Sequence, residues 1–138
     1  MAHEGIHQFR GVIPMLVCVD AAAEIGFCKS IFGAVELSRR SDSSGAVVHA
    51  VLRIGETMLM VHEESPHLAS RAPQADGSSP VVTYVYVESV DRIIENAVGE
   101  GARVLMPAVD APWGDRVGRV IDPSSHVWNV AARIHQKA

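Results

Sequence analysis

Two short runs of alternating apolar residues open the two halves of the chain, Met15-Leu16-Val17-Cys18-Val19 and Thr83-Tyr84-Val85-Tyr86-Val87. Side chains on a strand point to opposite faces in turn, so this period of two predicts a strand in each place. Each run leads into a residue suited to cap a helix, Asp20 in the first and Ser89 in the second, whose side-chain oxygen can accept an amide hydrogen of the first turn. The apolar period then lengthens. Ala21, Ile25, Cys28 and Phe32 fall on one stripe of a helix, as do Val90, Ile93, Ile94 and Ala97, and Gly101 suits the left-handed turn that stops a helix.

After each helix the period returns to two. Ala34 to Ser38, Ala46 to Ile54 and Thr57 to Val61 are predicted strands, separated by Ser41-Asp42-Ser43-Ser44-Gly45 and by Gly55-Glu56. The second half supplies Ala102 to Met106, Arg116 to Ile121 and His126 to Ala131. The chain therefore contains itself twice. Placing Gly33-Ala34 on Gly101-Ala102, an offset of 68 residues, also matches Val17 with Val85, Val19 with Val87, Ile25 with Ile93 and Leu37 with Leu105. Each half reads βαβββ, with module one at about residues 11–64, a Pro-, Ser- and Gly-bearing linker at 65–79 and module two at about 80–132, in a single domain spanning 1–138. One helix covers one face of such a sheet and leaves the other open. Two sheets joined edge to edge then predict an α+β fold with a curved, cup-shaped mixed sheet.

Composition removes several classes of partner. With 138 residues, 48% of them hydrophobic, the chain can bury a core of its own. Twelve Lys and Arg against sixteen Asp and Glu give a net charge of -4 without a basic run, which argues against nucleic acid, whose phosphates need clustered cations. The apolar stretch Gly11 to Val19 is broken by Pro14 and falls well short of the ~20 residues of a membrane helix, so no membrane partner is expected. Met1 to Gly5 lack the basic-then-apolar pattern of an export signal, so a cytoplasmic location is expected. Cys18 and Cys28 both sit on predicted apolar faces and read as reduced structural thiols.

Four segments carry a resemblance. Val19-Asp20-Ala21-Ala22-Ala23-Glu24-Ile25-Gly26-Phe27, His49-Ala50-Val51-Leu52-Arg53-Ile54-Gly55, Trp113-Gly114-Asp115-Arg116 and Asp122-Pro123-Ser124-Ser125-His126-Val127-Trp128, set in tandem βαβββ halves, resemble the vicinal oxygen chelate (VOC) superfamily. That group holds glyoxalase I, extradiol dioxygenases and the fosfomycin and bleomycin resistance proteins. The last two segments are similar to its PhnB-like branch. The resemblance implies a homodimer with a cup-shaped site for a small molecule. In family enzymes it also implies a divalent metal, held by His, Gln or Glu on the first strand and Glu on the last strand of each module.

Carried onto this chain by motif, those four slots fall near Ile13, Met60, Val82 and Asn129. Ile, Met and Val offer neither a hard oxygen nor an imidazole, and Asn129 offers one neutral amide oxygen. The neighbours Val12, Pro14, Leu59 and Val61 serve no better. The expectation is a member without the metal tetrad and without a cofactor.

Candidate site residues follow from strand parity and from the resemblance. On the strand Ala46 to Ile54 the set Val48, Ala50, Leu52, Ile54 is the apolar helix-packing face, which turns His49 and Arg53 toward the cup, His49 as a ligand contact or base. Met60 and Tyr84 would line the wall, and Trp113, in a loop with Asp115 and Arg116, would form a lid. The competing reading has Trp113 plugging the end of its sheet while Asp115 pairs with Arg116. If Asn129 faces the cup, its neighbour Trp128 packs on the helix side. His62-Glu63-Glu64 and His67 read as a solvated acidic loop, His126 as a turn residue, and His3, His7 and His135 as terminal.

Three functions remain in competition. The first is a metal-free protein that binds a small, partly apolar molecule, sequestering it as drug-resistance members do. The second is a lyase, isomerase or dioxygenase with a nonstandard metal set such as His49 with His62, Glu63 or His126. The third is an interaction module with a filled cup. Arg53, Arg116 and Arg119 sit on site-forming strands, and two of them pointing inward would favour a carboxylate or phosphate over a cationic drug.

Overall fold

Asp20 and Ser89 begin the two helices of the fold by the same device. Asp20 Oδ1 accepts the amide of Ala23 at 3.1 Å and Ser89 Oγ that of Arg92 at 3.4 Å. The structure is a computed structural model that describes residues 9–134, so His3, His7 and His135 lie outside the described residues. The order along the chain is β1 (Met15–Cys18), α1 (Ala21–Phe32), β2 (Val35–Ser41), β3 (Val47–Ile54) and β4 (Thr57–Glu63), then β5 (Thr83–Tyr86), α2 (Val90–Gly99), β6 (Arg103–Asp110), β7 (Asp115–Ile121) and β8 (Val127–Arg133). Each half is βαβββ, and the fold is α+β. The described residues form two compact units that divide between Ala72 and Pro73.

The two sheets have one topology. The strand orders are β1-β4-β3-β2 and β5-β8-β7-β6, with the first pair of each sheet parallel and the others antiparallel. α1 lies across one face of its sheet. Its N-terminal amide at Ala21 donates to Glu63 Oε2 at 3.2 Å, and Lys29 Nζ reaches Glu36 Oε1 at 3.4 Å. Beneath it Cys18, Ala50, Leu52 and Val61 are completely buried, while Gly33, with φ +68°, closes the helix in the left-handed conformation. The apolar stripe differs from the expected one. Ile31 and Phe27 are buried where Phe32 is half-buried against Phe27, their rings edge to face at 5.9 Å. Cys18 and Cys28 are buried free thiols.

Several strands outrun their expected ends. β4 continues through His62 and Glu63, β6 reaches Asp110 and β8 reaches Arg133. Ladder pairing with a neighbouring strand holds polar residues that break the apolar alternation. Between Ser65 and Ser70 the chain makes a short 3-10 turn, Pro66–Leu68, clasped by amide bonds in both directions between the two serines.

The internal repeat is real, but its register is not uniform. The caps Asp20 and Ser89 lie 69 residues apart, and the same step pairs the buried Leu16 with Val85, Ile25 with Ile94 and Cys28 with Ala97. From the buried pair Ala34 and Ala102 through β7 the step is 68, because α2 is shorter, and in β8 it returns to 69, since Val130 pairs with Gly118 as Val61 pairs with Ala50. The uniform step of 68 would turn β5 over, since a slip of one residue exchanges the two faces of a strand.

Candidate functional site

The helix-free face of each sheet carries most of the candidate site residues, and cross-strand pairing fixes which residues share it. In the first sheet Met15 pairs with Met60, Met60 with Val51, and Arg53 with Met58, while Arg40 pairs with His49. His49, Arg53 and Met60 therefore lie on one face of the first sheet. Val48 departs from the expected pattern: it is exposed rather than packed under the helix. His49 and Arg53 are half-buried and have no side-chain hydrogen bond among the described residues.

In the second sheet the open face carries Tyr84, Asn129 and Arg119 in one row, with Tyr86, Ala131 and Val117 in the next. The first row is stitched by Arg119, whose Nε donates to Asn129 Oδ1 at 2.7 Å. The two terminal nitrogens of that guanidinium have no partner among the described residues. Tyr84 from the first row and Tyr86 from the second both donate their hydroxyls to Asp115 Oδ2, at 2.6 and 2.8 Å. Ala131 and Val117 are almost wholly covered and form a small apolar cluster with Ala111.

Asp115 is the centre of this network. It is 1% exposed, and its other oxygen accepts Arg133 Nη1 at 3.0 Å. The Tyr84 hydroxyl holds its carboxyl below the usual range against the opposing effect of desolvation, with Tyr86 and Arg133 adding to the lowering. Desolvation, then the charge-assisted bond to Asp115, pushes the Tyr84 phenol up; for Tyr86 the bond to Asp115 is the main cause and burial the second. Trp113 completes the group by donating Nε1 to the Tyr84 hydroxyl at 3.0 Å. Its ring is nevertheless 58% exposed, beside tyrosines that are 39% and 54% exposed.

The structure thus brings Tyr84, Trp113 and Asp115 into direct contact and places Asn129 beside Tyr84. Arg116 is not among them. It projects to the helix side, where it holds Asp91 at the start of α2 through two bonds of 3.0 and 3.1 Å and Asp110 through one of 2.9 Å. The expected Asp115–Arg116 pair is replaced by Asp115–Arg133, because neighbours on a strand point to opposite faces. Trp128 packs on the helix side as expected, 1% exposed, its Nε1 donating to Asp122 Oδ2 at 2.8 Å. His126 is the expected turn residue, its amide donating to Asp122 Oδ1 at 2.9 Å.

His62-Glu63-Glu64 is not a solvated loop. His62 is 6% exposed on β4, Glu63 receives the first amide of α1, and Glu64 receives the amide of Ala72 at 2.8 Å. His67 is exposed on the 3-10 turn. Tyr86 and Arg133, absent from the sequence-based candidates, belong to the network; Tyr86 was signalled by its spacing of two from Tyr84, Arg133 by nothing local.

The donor chemistry does not fit a metal at the four family slots. Met60 offers a thioether, Ile13 and Val82 no donor, and the Asn129 oxygen is already held by a guanidinium whose charge opposes a cation. Among the described residues no three His, Cys, Asp or Glu side chains are grouped to hold an ion.

Comparison with known proteins agrees with this architecture. The model of the Glyoxalase/Bleomycin resistance protein/Dioxygenase superfamily matches residues 5–130. An uncharacterized protein of Mycobacterium bovis is 36% identical over 126 residues, spanning 89% of this chain and 83% of its own. Among solved structures, TioX from Micromonospora sp. ML1 is similar at 24% identity and TM-score 0.67, covering 94% of this chain and 100% of that one. FosX, a fosfomycin resistance protein of Listeria monocytogenes complexed with Mn(II) and sulfate, is similar at 16% identity and TM-score 0.69 over 91% of each chain. A PhnB protein from Bacillus cereus is similar at 18% identity and TM-score 0.68, over 89% of this chain and 99% of its own. At these identities the solved structures share the fold. No helix among the described residues is long and apolar enough to cross a membrane.

Proposed function

Because the chain belongs to the Glyoxalase/Bleomycin resistance protein/Dioxygenase superfamily, we propose that it is a member that works without the family's metal, binding and sequestering a small, partly apolar molecule. The observation that supports this reading is the bond between Arg119 and Asn129. At the family's ligand slot it sets a guanidinium with two free nitrogens where a cation would have to sit. Arg119 favours a carboxylate or phosphate group, which it can receive through paired donors. The exposed faces of Tyr84, Tyr86 and Trp113 supply apolar area for a ring, with Asp115 fixing their polar ends. On the first sheet, taken by itself, His49, Arg53 and Met60 share an open face and are read as ligand contacts of that unit.

The finer features of the reading have their own support. The Trp113-Gly114-Asp115-Arg116 and Asp122-to-Trp128 segments favour the PhnB-like branch. Edge strand β6, with Met106 and Val109 exposed, favours pairing of two copies into a homodimer. Two buried free thiols suit the cytoplasm.

Two measurements test the function together. Purified protein dialysed against Mn, Ni, Zn and Fe salts is expected to retain less than stoichiometric metal, and phenylacetate is expected to raise its Tm by mass action, an effect lost in Arg119→Met. Stoichiometric, tightly held metal overturns the reading.

A further inference from the structure

The two units differ at one end of their open faces, and the difference exposes a cleft. In the second sheet the β7–β8 ladder is paired to its last position, Asp115 with Arg133. In the first sheet the β3–β4 ladder stops at Ala50 with Val61. Beyond that point β3 stays with β2, through Arg40 with His49 and Ser41 with Val47, while β4 stays with β1, through Val17 with His62 and Cys18 with Glu63. The middle strands part. The position that Asp115, Arg133 and the two tyrosines close in one sheet is, in the other, a cavity of about 220 Å³.

His62, 6% exposed, lines this cavity and has no hydrogen-bond partner among the described residues. Its ring nitrogens are not among the polar atoms sealed off without a partner, so they open on accessible space and are placed to meet a ligand there. Asp42 and Glu64 stand on the lining as well. Asp42 commits Oδ1 to the amides of Ser44 and Ala46 and to the Ser44 hydroxyl, and Glu64 commits Oε2 to the amide of Ala72. Each keeps a second oxygen without a partner among the described residues. No Lys or Arg lines the cavity among the described residues; Arg71 lines a neighbouring one that shares Glu64. Val47, Val48 and Leu68 give the remaining wall an apolar character.

We propose that this cleft is a second ligand site, taking a compact primary ammonium whose hydrogens are shared by His62 and the free oxygens of Asp42 and Glu64 while its hydrocarbon lies on Val47, Val48 and Leu68. The size agrees. A cavity of about 150 Å³ accepts benzene, so this one takes about nine non-hydrogen atoms. The site is independent of the Arg119 reading and of opposite charge preference, so each can fail without the other.

The test uses 2-phenylethylamine and phenylacetate as probes of similar shape and opposite charge, on the full chain at about pH 8, where a primary amine keeps its proton and a carboxylate has lost its own. NMR signals of the Val47 and Val48 methyls and of the His62 ring report the cleft; those of Trp113 and the tyrosines report the other face. The amine is expected to shift the cleft signals saturably. Glu64→Gln is expected to weaken it by at least about threefold and His62→Leu by about tenfold, as one lost charged hydrogen bond implies. Glu64 is on the exposed rim, so its variant carries the test if His62→Leu does not fold. Absence of cleft shifts at millimolar amine, shifts confined to Trp113 and the tyrosines, or equal binding of phenylacetate in the cleft each overturns the proposal.

Discussion

Ile94 of α2 occupies the space that a side chain on Gly118 of β7 would need: a Cβ built there stands 2.5 Å from Ile94 Cδ1. Moving the isoleucine tip alone does not relieve the crowding, because the backbone N and Cα of Ala108 lie at 3.1 and 3.2 Å from the same point. The missing side chain lets α2 sit close on its sheet. In the first unit the equivalent strand position is Ala50, fully buried and paired with Val61 as Gly118 is with Val130, so there a methyl is accommodated. Gly118→Ala is therefore expected to cost about 1–3 kcal/mol by overpacking. Thermal melting reads this out, and adding Ile94→Val is expected to recover part of the loss. An unchanged Tm in Gly118→Ala defeats the argument.

Asp115 predicts a pH dependence with a definite sign. Its carboxylate accepts from Tyr84, Tyr86 and Arg133, so its folded pKa lies below the unfolded one. The resulting stabilisation is complete above the unfolded carboxylate value and is lost as pH falls through the folded one, that is, below about 4. Asp115→Asn keeps the shape and removes the charge. Its Tm is expected to lie below that of the parent at neutral pH, with the gap closing as acid is added. A gap that widens toward low pH contradicts the assignment.

Local chemistry made the elements readable, and distance hid the partners. Asp20, Ser89 and the alternating strands each announce themselves within a few residues, so the succession of strands and helices along the chain and the helix starts follow from the sequence, whereas the order of strands within each sheet does not. Arg116 and Arg119 lie three apart on one strand and must face opposite ways, a constraint that parity alone supplies; which of them faces the helix is decided by Asp91, 25 residues away. The pairing of Asp115 with Arg133, rather than with the adjacent Arg116, likewise depends on β8 lying beside β7. His62 was misread because an acidic neighbourhood resembles a loop, whereas its burial comes from strand pairing with Val17. The one-residue change in repeat register followed from the lengths of two helices, which identical letters at an offset of 68 concealed.

Trp128 and Asp122 lock the turn before the last strand. Asp122, 3% exposed, accepts the amides of Ser124 and His126 on one oxygen and the Trp128 indole on the other. Trp128→Phe leaves that second oxygen buried without its indole donor, at a cost of about 1–3 kcal/mol. Denaturant melts are expected to show a lower midpoint with an unchanged slope. The change lies on the helix side, so phenylacetate binding at Arg119 is expected to survive it. Loss of binding with retained stability would mean that Trp128 reaches the ligand.

Tyr84 and Tyr86 are the only tyrosines in the chain, so phenolate absorbance reports on the Asp115 network alone. Both phenols are held above the ordinary value of about 10, Tyr84 by desolvation first and Tyr86 by its bond to Asp115 first. A raised folded pKa means that the stability from these hydroxyls is complete below the unfolded value and disappears as pH climbs through the folded one. Spectrophotometric titration is expected to show both residues ionising above free tyrosine in the native protein. In Asp115→Ala the Tyr86 midpoint should fall the further toward the ordinary value, since its shift depends mainly on that carboxylate. Adding Trp113→Phe removes the indole N–H that lowers the Tyr84 value and should move that phenol alone upward. If both tyrosines titrate as free phenols in the folded protein, their hydroxyls are not committed to Asp115, and the aromatic face is not held in the arrangement that ligand binding requires.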